Sequence, residues 1–178
     1  MAGSQRVYKQ RIKSTQSLKK MFRAQELIAA SRIGKARDRT AAAAPYARAI
    51  TRAVSAVATH TTTQHPLTSE RTDTNRVAVL VVASDRGMAG AYSASIIRET
   101  ERLVERLTTE GKEVALYAAG RRAIQYYTFR GRELAGTWSY GSDAPNAEVA
   151  GEIAETLLGA FLAPAAEGGG SELHIVYT

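Results

Sequence analysis

The sequence lacks several features that would define its class at once. None of its 178 residues is a cysteine, which excludes a disulfide framework, a thiolate zinc site and a cysteine nucleophile. No run of about 18 apolar residues could span a bilayer, so membrane association would be peripheral. The N-terminus has no unbroken apolar stretch, and we therefore expect no signal peptide. What remains, 44 % apolar and 23 % charged residues, is the composition of an ordinary soluble globular protein.

Acidic residues are nearly missing from the first third of the chain. Between Met1 and His60, 13 lysines and arginines are accompanied by only Glu26 and Asp38, so this segment has a net charge of +11. The whole chain carries +7, so residues 61–178 carry −4. This asymmetry indicates a partner surface of opposite charge, and the sequence pI of about 9.9 makes nucleic acid the default partner.

The basic segment also has the pattern of one long helix. Apolar or small residues recur at alternating steps of three and four, an average of about 3.5, which is the spacing of a coiled-coil seam. At about 1.5 Å per residue, a helix from Val7 to His60 would extend roughly 80 Å. Pro45 lacks an amide donor and should kink or loosen the helix around residues 41–44. The seam is rich in alanine and consists of Tyr8, Ile12, Thr15, Leu18, Phe22, Ala29, Ile33, Ala36, Ala43, Ala47, Ile50, Val54 and Val57.

The rest of the chain has the pattern of a linker followed by an α/β domain. Residues 61–75 contain three consecutive threonines, a proline and polar residues without period, which is typical of a linker. From 76 to 178, short apolar runs alternate with amphipathic segments, which predicts a Rossmann-like, doubly wound parallel sheet. We expect a flexible glycine-rich loop over 165–171. The expected strands cover 76–83, 113–119, a short stretch near 138, and 173–177, and the expected helices cover 92–110, 121–129 and 145–162.

No catalytic, cofactor-binding or metal-binding residue is predicted. The turn after the first strand contains Gly87 and Gly90, but these match neither the dinucleotide fingerprint nor a P-loop. The simpler interpretation is a sharp glycine turn in which Ser84 or Asp85 caps nearby amides. The three histidines have no metal-ligand spacing, and no nucleophile elbow is present.

The basic helix has three interpretations. It could be a solvated face that only aids solubility, which its length and its seam disfavour. It could bind nucleic acid, although aromatic residues are sparse within it and no basic block is followed by a separate leucine zipper. It could instead be a shaft that makes loose electrostatic contacts with acidic protein surfaces.

Several segments of the chain closely resemble the gamma subunit of F-type ATP synthase. In the first helix these are Ile12–Lys20, Ala24–Ile33 and Ala44–Ala47. The strand and turn Val79–Tyr92 and the ending Glu172–Thr178 also fit the family. The resemblance covers essentially the whole chain.

Two details qualify the resemblance. The family usually has Leu-Cys in the turn, where this chain has Met88-Ala89. The tyrosine pair of this chain, Tyr126-Tyr127, most closely resembles that of actinobacterial members. The family also continues into a long C-terminal helix that pairs with the first one. The resemblance therefore implies an N-terminal portion in which that partner helix is absent.

The resemblance implies a non-catalytic rotor shaft without a cofactor. It would couple rotation of the membrane c-ring to ATP synthesis in the alpha/beta hexamer, and it would regulate ATPase activity and proton flow. Its partners would be the alpha, beta and epsilon subunits, the c-ring and its own C-terminal helix, with no nucleic acid. It would lie at the cytoplasmic face of the bacterial cell membrane, held peripherally through the membrane sector.

Contact residues follow from the matched segments. We expect contacts with the alpha/beta ring from Lys19, Lys20, Arg23, Gln25 and Arg32. We expect contacts with epsilon and the c-ring, at the base, from Asp85, Arg86, Gly87, Met88 and Tyr92.

Two other functions remain open at this point. One is a basic coiled-coil protein with an α/β head that binds nucleic acid, which a steep salt dependence of binding would reveal. The other is a Rossmann-like module that binds a small ligand and carries a helical oligomerisation arm.

Overall fold

A computed structural model describes residues 2–60, 65–67, 69–87, 89–141 and 147–178, with side chains from Gln5 onward. The chain divides into two compact units, Met1–Thr62 and Thr63–Thr178.

The first unit consists of a single helix, α1, which runs from Ala2 to His60. Its 59 residues span roughly 90 Å at about 1.5 Å per residue, so the predicted long helix is confirmed. Pro45 lies inside the helix, which continues through residues 41–44. From Gln5 onward the side chains of α1 are exposed apart from a half-buried Ala44, and the exposed set includes apolar side chains such as Ile12, Phe22 and Ile50. The helix therefore has no apolar core of its own.

The second unit is a four-stranded parallel sheet with helices on both faces. The strands lie in the order β3-β2-β1-β4, which confirms the predicted parallel, doubly wound architecture. In the central register, Val79 lies between Leu116 and His174. The elements in chain order are β1 Arg76–Val82, α2 Tyr92–Thr109, β2 Glu113–Ala119, α3 Arg121–Phe129, β3 Gly136–Trp138, α4 Ala147–Leu162, a 3-10 turn Ala165–Glu167 and β4 Glu172–Val176.

The strand β1 is buried on both faces, as its unbroken apolar sequence requires. On one face, Val77, Val79 and Val81 pack with residues of α2 and α3. On the other face, Ala78 and Leu80 pack with α4. The chain crosses from one side of β1 to the other between β3 and β4, so the switch point of the sheet lies between β1 and β4.

The expected and observed element limits agree closely. The strand β2 and the helix α3 have the predicted limits. The helix α1 begins five residues before the expected Val7, and the other strands and helices differ from prediction by one or two residues at their described ends. The expected start of α4 at 145–146 lies outside the described residues.

Candidate interaction surfaces

The five residues expected to contact the alpha/beta ring all lie exposed on α1. Lys19, Lys20 and Arg23 occupy adjoining turns, and Arg32 lies about 13 Å further along the helix at 1.5 Å per residue. In the part of the chain that the structure describes, Lys19, Lys20 and Arg23 make no ion pair. Their charges are therefore available to a partner.

The same stretch of α1 exposes apolar side chains beside these cations. A shallow surface strip contains Leu18, Phe22 and Leu27, flanked by Lys19 and Arg23. Leu27 is 67 % exposed and Phe22 is 55 % exposed. The strip therefore combines two features. Its apolar seam residues need an apolar partner surface, and its cations suit an acidic partner surface.

Asp85 was expected at the base contact, but its side chain is only 1 % exposed. Its Oδ1 accepts hydrogen bonds from the backbone N–H of Arg121 at 2.9 Å and from the hydroxyl of Ser139 at 3.2 Å. The Nε of Arg121 lies 4.0 Å from the same oxygen. Asp85 thus satisfies an amide at the N-terminus of α3, where a negative charge is favourable. The sequence predicted that Ser84 or Asp85 caps nearby amides, and Asp85 does bind an amide, but one that is 36 residues away in the chain.

A network of polar side chains holds the turn that follows β1. The hydroxyls of Ser84 and Ser93 lie 2.8 Å apart, and Ser84 also donates to the carbonyl of Arg86 at 2.9 Å. The hydroxyl of Tyr140 donates to the carbonyl of Ala83 at 2.7 Å. These bonds join the carboxyl ends of β1 and β3 to the start of α2. These hydrogen bonds fix the shape of the turn.

The rest of the expected base contact is accessible where it is described. Arg86 and Gly87 are exposed, and Tyr92 is 37 % exposed. Met88 lies outside the described residues. The guanidinium of Arg122 lies against Gly87, in the place that a Cβ at residue 87 would occupy. A side chain at residue 87 would displace this flexible guanidinium, so the turn and α3 touch at this point.

Sequence reasoning missed the partners of this turn. Arg121 begins α3, just after β2, and Ser139 and Tyr140 follow β3. These residues are 36 to 57 positions away in the chain from the groups they bind. One signal was present, because polar residues that follow neighbouring parallel strands meet at the same edge of the sheet. That signal identifies the partners only when the order of the strands in the sheet is known.

His174 lies in an ion-pair cluster at the exposed edge of the sheet. Its Nε2 is 2.8 Å from Glu172, which also pairs with Lys112 at 2.9 Å. Lys112 and His174 together lower the pKa of the Glu172 carboxyl. Within the described ranges, no group of three or more histidines, cysteines and acidic residues could hold a metal ion. In those same ranges, none of the helices has the length and apolar character needed to cross a membrane.

Comparisons with known proteins show the family to which the chain belongs. A family profile described as ATP synthase matches residues 4–178. Three relatives named ATP synthase gamma chain match over 178 residues, all of this chain and 60 % of each relative. They are 67 % identical in Beutenbergia cavernae, 54 % in Pseudarthrobacter chlorophenolicus and 53 % in Parafrankia. The chain thus spans about three fifths of the length of these curated relatives. It belongs to the ATP synthase family, and it resembles an N-terminal portion of the gamma chains of that family.

Proposed function

We propose that the chain is the non-catalytic central-stalk subunit of a proton-translocating F-type ATP synthase. In this role it couples rotation of the membrane c-ring to ATP synthesis in the alpha/beta hexamer, and it regulates ATPase activity and proton flow. The observation that carries the proposal is α1, an uninterrupted 59-residue helix with a net charge of +11 over residues 1–60 and an exposed apolar seam.

The exposed seam supports the proposal that α1 pairs with a second helix in a coiled coil. Val54 is 57 % exposed and Ile12 is 57 % exposed, although both belong to a stripe with the coiled-coil spacing. Burying such a stripe needs a second helix, and the family's C-terminal helix is the partner that we propose. Ala43 and Ala47 in the seam would allow a close approach of the two helices while burying little apolar area each.

The charge of α1 supports a loose, sliding contact with acidic surfaces of the alpha and beta subunits. Exposed ion pairs contribute only about 0–1 kcal/mol each, so a rotating shaft held by them meets no deep energy minimum at any angle. We propose that Lys19, Lys20, Arg23, Gln25 and Arg32 make these contacts. The shaft would act by binding the states of the catalytic sites differently, since only a differential interaction can shift an equilibrium.

The α/β unit supports a contact at the base of the stalk. We propose that Arg86, Gly87, Met88 and Tyr92 meet epsilon and the c-ring, and that the buried Asp85 contributes by holding the turn in shape. This arrangement would keep the subunit at the cytoplasmic face of the membrane through other subunits. Rotation of the ring would then be transmitted to α1 without bond chemistry in this chain.

The test is a double charge reversal on α1 in the assembled, reconstituted enzyme. Lys20→Glu with Arg23→Glu should lower the number of protons pumped per ATP hydrolysed, because repulsion replaces the attraction to acidic surfaces. The matched control is Arg102→Glu with Arg106→Glu on α2, where both side chains are exposed and the change in net charge is the same. Unchanged pumping per ATP in the α1 variant would refute the proposal.

A cheaper measurement addresses the assembly itself. The chain should co-purify with alpha and beta subunits from cells that make all of them. If it is instead retained on nucleic acid with a steep salt dependence, the alternative of a nucleic-acid-binding coiled coil is favoured.

A further inference from the structure

The charge of the α/β unit is divided between two regions. Residues 61–178 contain 11 basic and 15 acidic residues, for a net charge of −4. Residues 120–134, which include α3 and the loop after it, contain four arginines and one glutamate, for a net charge of +3. The remainder of the unit therefore carries −7. A basic region on an otherwise acidic unit indicates a surface selected for an anionic partner.

The basic residues at the start of α3 share one exposed face of the helix. At about 100° per residue, positions 121, 122, 125, 128 and 129 fall within an arc of roughly 120°. All five are exposed, whereas Ala123 and Tyr127 on the opposite side are fully buried against the sheet. The face thus presents Arg121, Arg122 and Phe129 together.

Phe129 is the most exposed large apolar side chain among the described residues, at 92 %. The end of α3 holds it outward. Gly131 adopts a left-handed conformation with φ of 67°, and the N–H of Arg132 donates to the carbonyl of Tyr127 at 2.9 Å. This is a glycine C-cap of the helix, so Phe129 projects from an ordered helix end rather than from a free loop.

Arginines lie on both sides of this phenylalanine. The guanidinium carbon of Arg130 lies over the ring of Tyr126, 4.7 Å from its centre, at cation–π distance. In the described part of the chain, neither Arg130 nor Arg132 forms an ion pair. Phe129 and Arg130 are exposed and Arg132 is half-buried. Aromatic and arginine side chains are the residue types that are enriched at protein interfaces.

The α3 face also continues the turn proposed as the base contact. Arg122 lies against Gly87, and Arg121 approaches Asp85. The turn and the helix therefore form one surface, although the sequence pattern indicated only the turn.

We propose that Arg121, Arg122, Phe129, Arg130 and Arg132 form a docking surface for an acidic protein segment that has an apolar pocket. The planar guanidinium groups suit carboxylates, which they can bind through two parallel hydrogen bonds, and Phe129 fills the pocket. An anionic bilayer fits less well, because the rest of the unit carries −7 and would be repelled. The partner would belong to the assembled enzyme, so the identity of the partner rests on the proposed function.

The first test is photo-crosslinking from position 129 in living cells. Benzoylphenylalanine replaces Phe129, where an exposed ring tolerates the larger group, and Glu105 on α2 is the exposed control position. We expect a crosslink from position 129 to one peptide rich in Asp and Glu, and none to that peptide from 105. No protein crosslink, a crosslink to lipid, or one to a basic peptide would overturn the proposal. A crosslink to an acidic peptide outside the synthase would support the surface and count against the proposed function.

The second test measures binding of the crosslinked partner. Arg122→Glu with Arg130→Glu should weaken it at least tenfold and reduce its salt dependence, and Phe129→Ser should weaken it at any salt concentration. The control variant, Arg98→Glu with Arg102→Glu on α2, changes the net charge of the chain by the same amount. Unchanged fluorescence of Trp138, the single tryptophan, verifies folding. Equal affinity of all variants, or binding of the unmodified chain to phosphatidylglycerol vesicles as tight as to the partner, would overturn the proposal.

Discussion

Asp85 shows how one buried carboxylate can shape a surface that it does not itself form. It joins the turn after β1 to the first amide of α3 and to Ser139 after β3. The glycine turn was recognisable in the sequence, and so was a capping role for Ser84 or Asp85. The partners were not, because a hydrogen bond between residues 85 and 139 depends on the order of strands in the sheet. Local patterns carry no information about that order.

Loss of the Asp85 carboxylate should destabilise the α/β unit. Asp85→Ala leaves the amide of Arg121 and the hydroxyl of Ser139 without their acceptor, and we expect a loss of about 2–3 kcal/mol in the free energy of unfolding. Asp85→Asn retains an oxygen acceptor and should lose less. Urea unfolding followed by Trp138 fluorescence measures both. Glu133→Gln, an exposed acid, is the control, and a similar value for Asp85→Ala and the control would contradict the capping role.

Tyr140 makes the same turn sensitive to alkaline pH. Burial, with Tyr92 and Asp85 nearby, raises the pKa of Tyr140 to about 12. An unfolded tyrosine ionises near pH 10, so between about pH 10 and 12 the unfolded state releases a proton that the folded state keeps. The contribution of Tyr140 to stability is therefore full below pH 10 and is lost as the pH rises toward 12.

Tyr140→Phe tests this pH dependence. The variant should lose about 1 kcal/mol at pH 8, because the bond to Ala83 is gone. Between pH 10 and 12 its free energy of unfolding should fall less steeply than that of the unmodified chain. The pKa of Tyr127 is also raised by burial, but that tyrosine is common to both proteins and cancels in the difference. Parallel pH profiles would show that folding does not raise the pKa of Tyr140.

At the scale of elements, the connection from α4 to β4 is held more firmly than its glycines suggest. The guanidinium of Arg71 donates to the carbonyls of Phe161 and Ala163 at 2.7 and 2.9 Å, which closes the C-terminal end of α4. Gly169 is buried, and a Cβ there would meet the carbonyl oxygen of Ala163. The loop expected to be flexible is therefore tied to its neighbours. An arginine within an expected linker gave no sign of this contact, which spans about 90 residues of sequence.

Two glycine substitutions should have opposite effects on this part of the fold. Gly169→Ala should destabilise the unit by about 1–3 kcal/mol, because the added methyl group collides with a carbonyl that Arg71 holds in place. Gly159→Ala inside α4 meets nothing within 4 Å and should stabilise it by about 0.5–1 kcal/mol through helix propensity. Thermal unfolding of both variants gives the comparison. Stabilisation by both would show that the loop is free to move.

Most elements were predictable because their patterns are local. The unbroken apolar run of β1 is typical of a strand buried on both faces, and the amphipathic segment that forms α2 buries Ile96, Val104 and Leu107. Thr100 on the same helix is also buried, and its hydroxyl bonds to the carbonyl of Ile96 at 2.9 Å. Burial of Thr100 could not be predicted from the apolar pattern, because threonine is polar and its hydroxyl finds its partner within the same helix.

At the scale of the whole molecule, a long basic helix and an acidic α/β unit with a basic surface share one chain. The length of α1 and its charge were readable from sequence, because both depend only on composition and period. The basic face of α3 was not recognised, because four arginines over 12 residues form a patch only once Ala123 and Tyr127 define the buried side. The proposed role in a rotary enzyme depends on both surfaces having acidic partners.

Rotation of this subunit within the enzyme is the most direct test of that role. The chain has no cysteine, so Glu105→Cys on the exposed face of α2 provides a single attachment point for a gold rod before assembly. With the alpha and beta subunits fixed to glass and ATP added, the account predicts that the rod turns continuously in one direction. Steady ATP hydrolysis with a rod that only fluctuates about one orientation would contradict it.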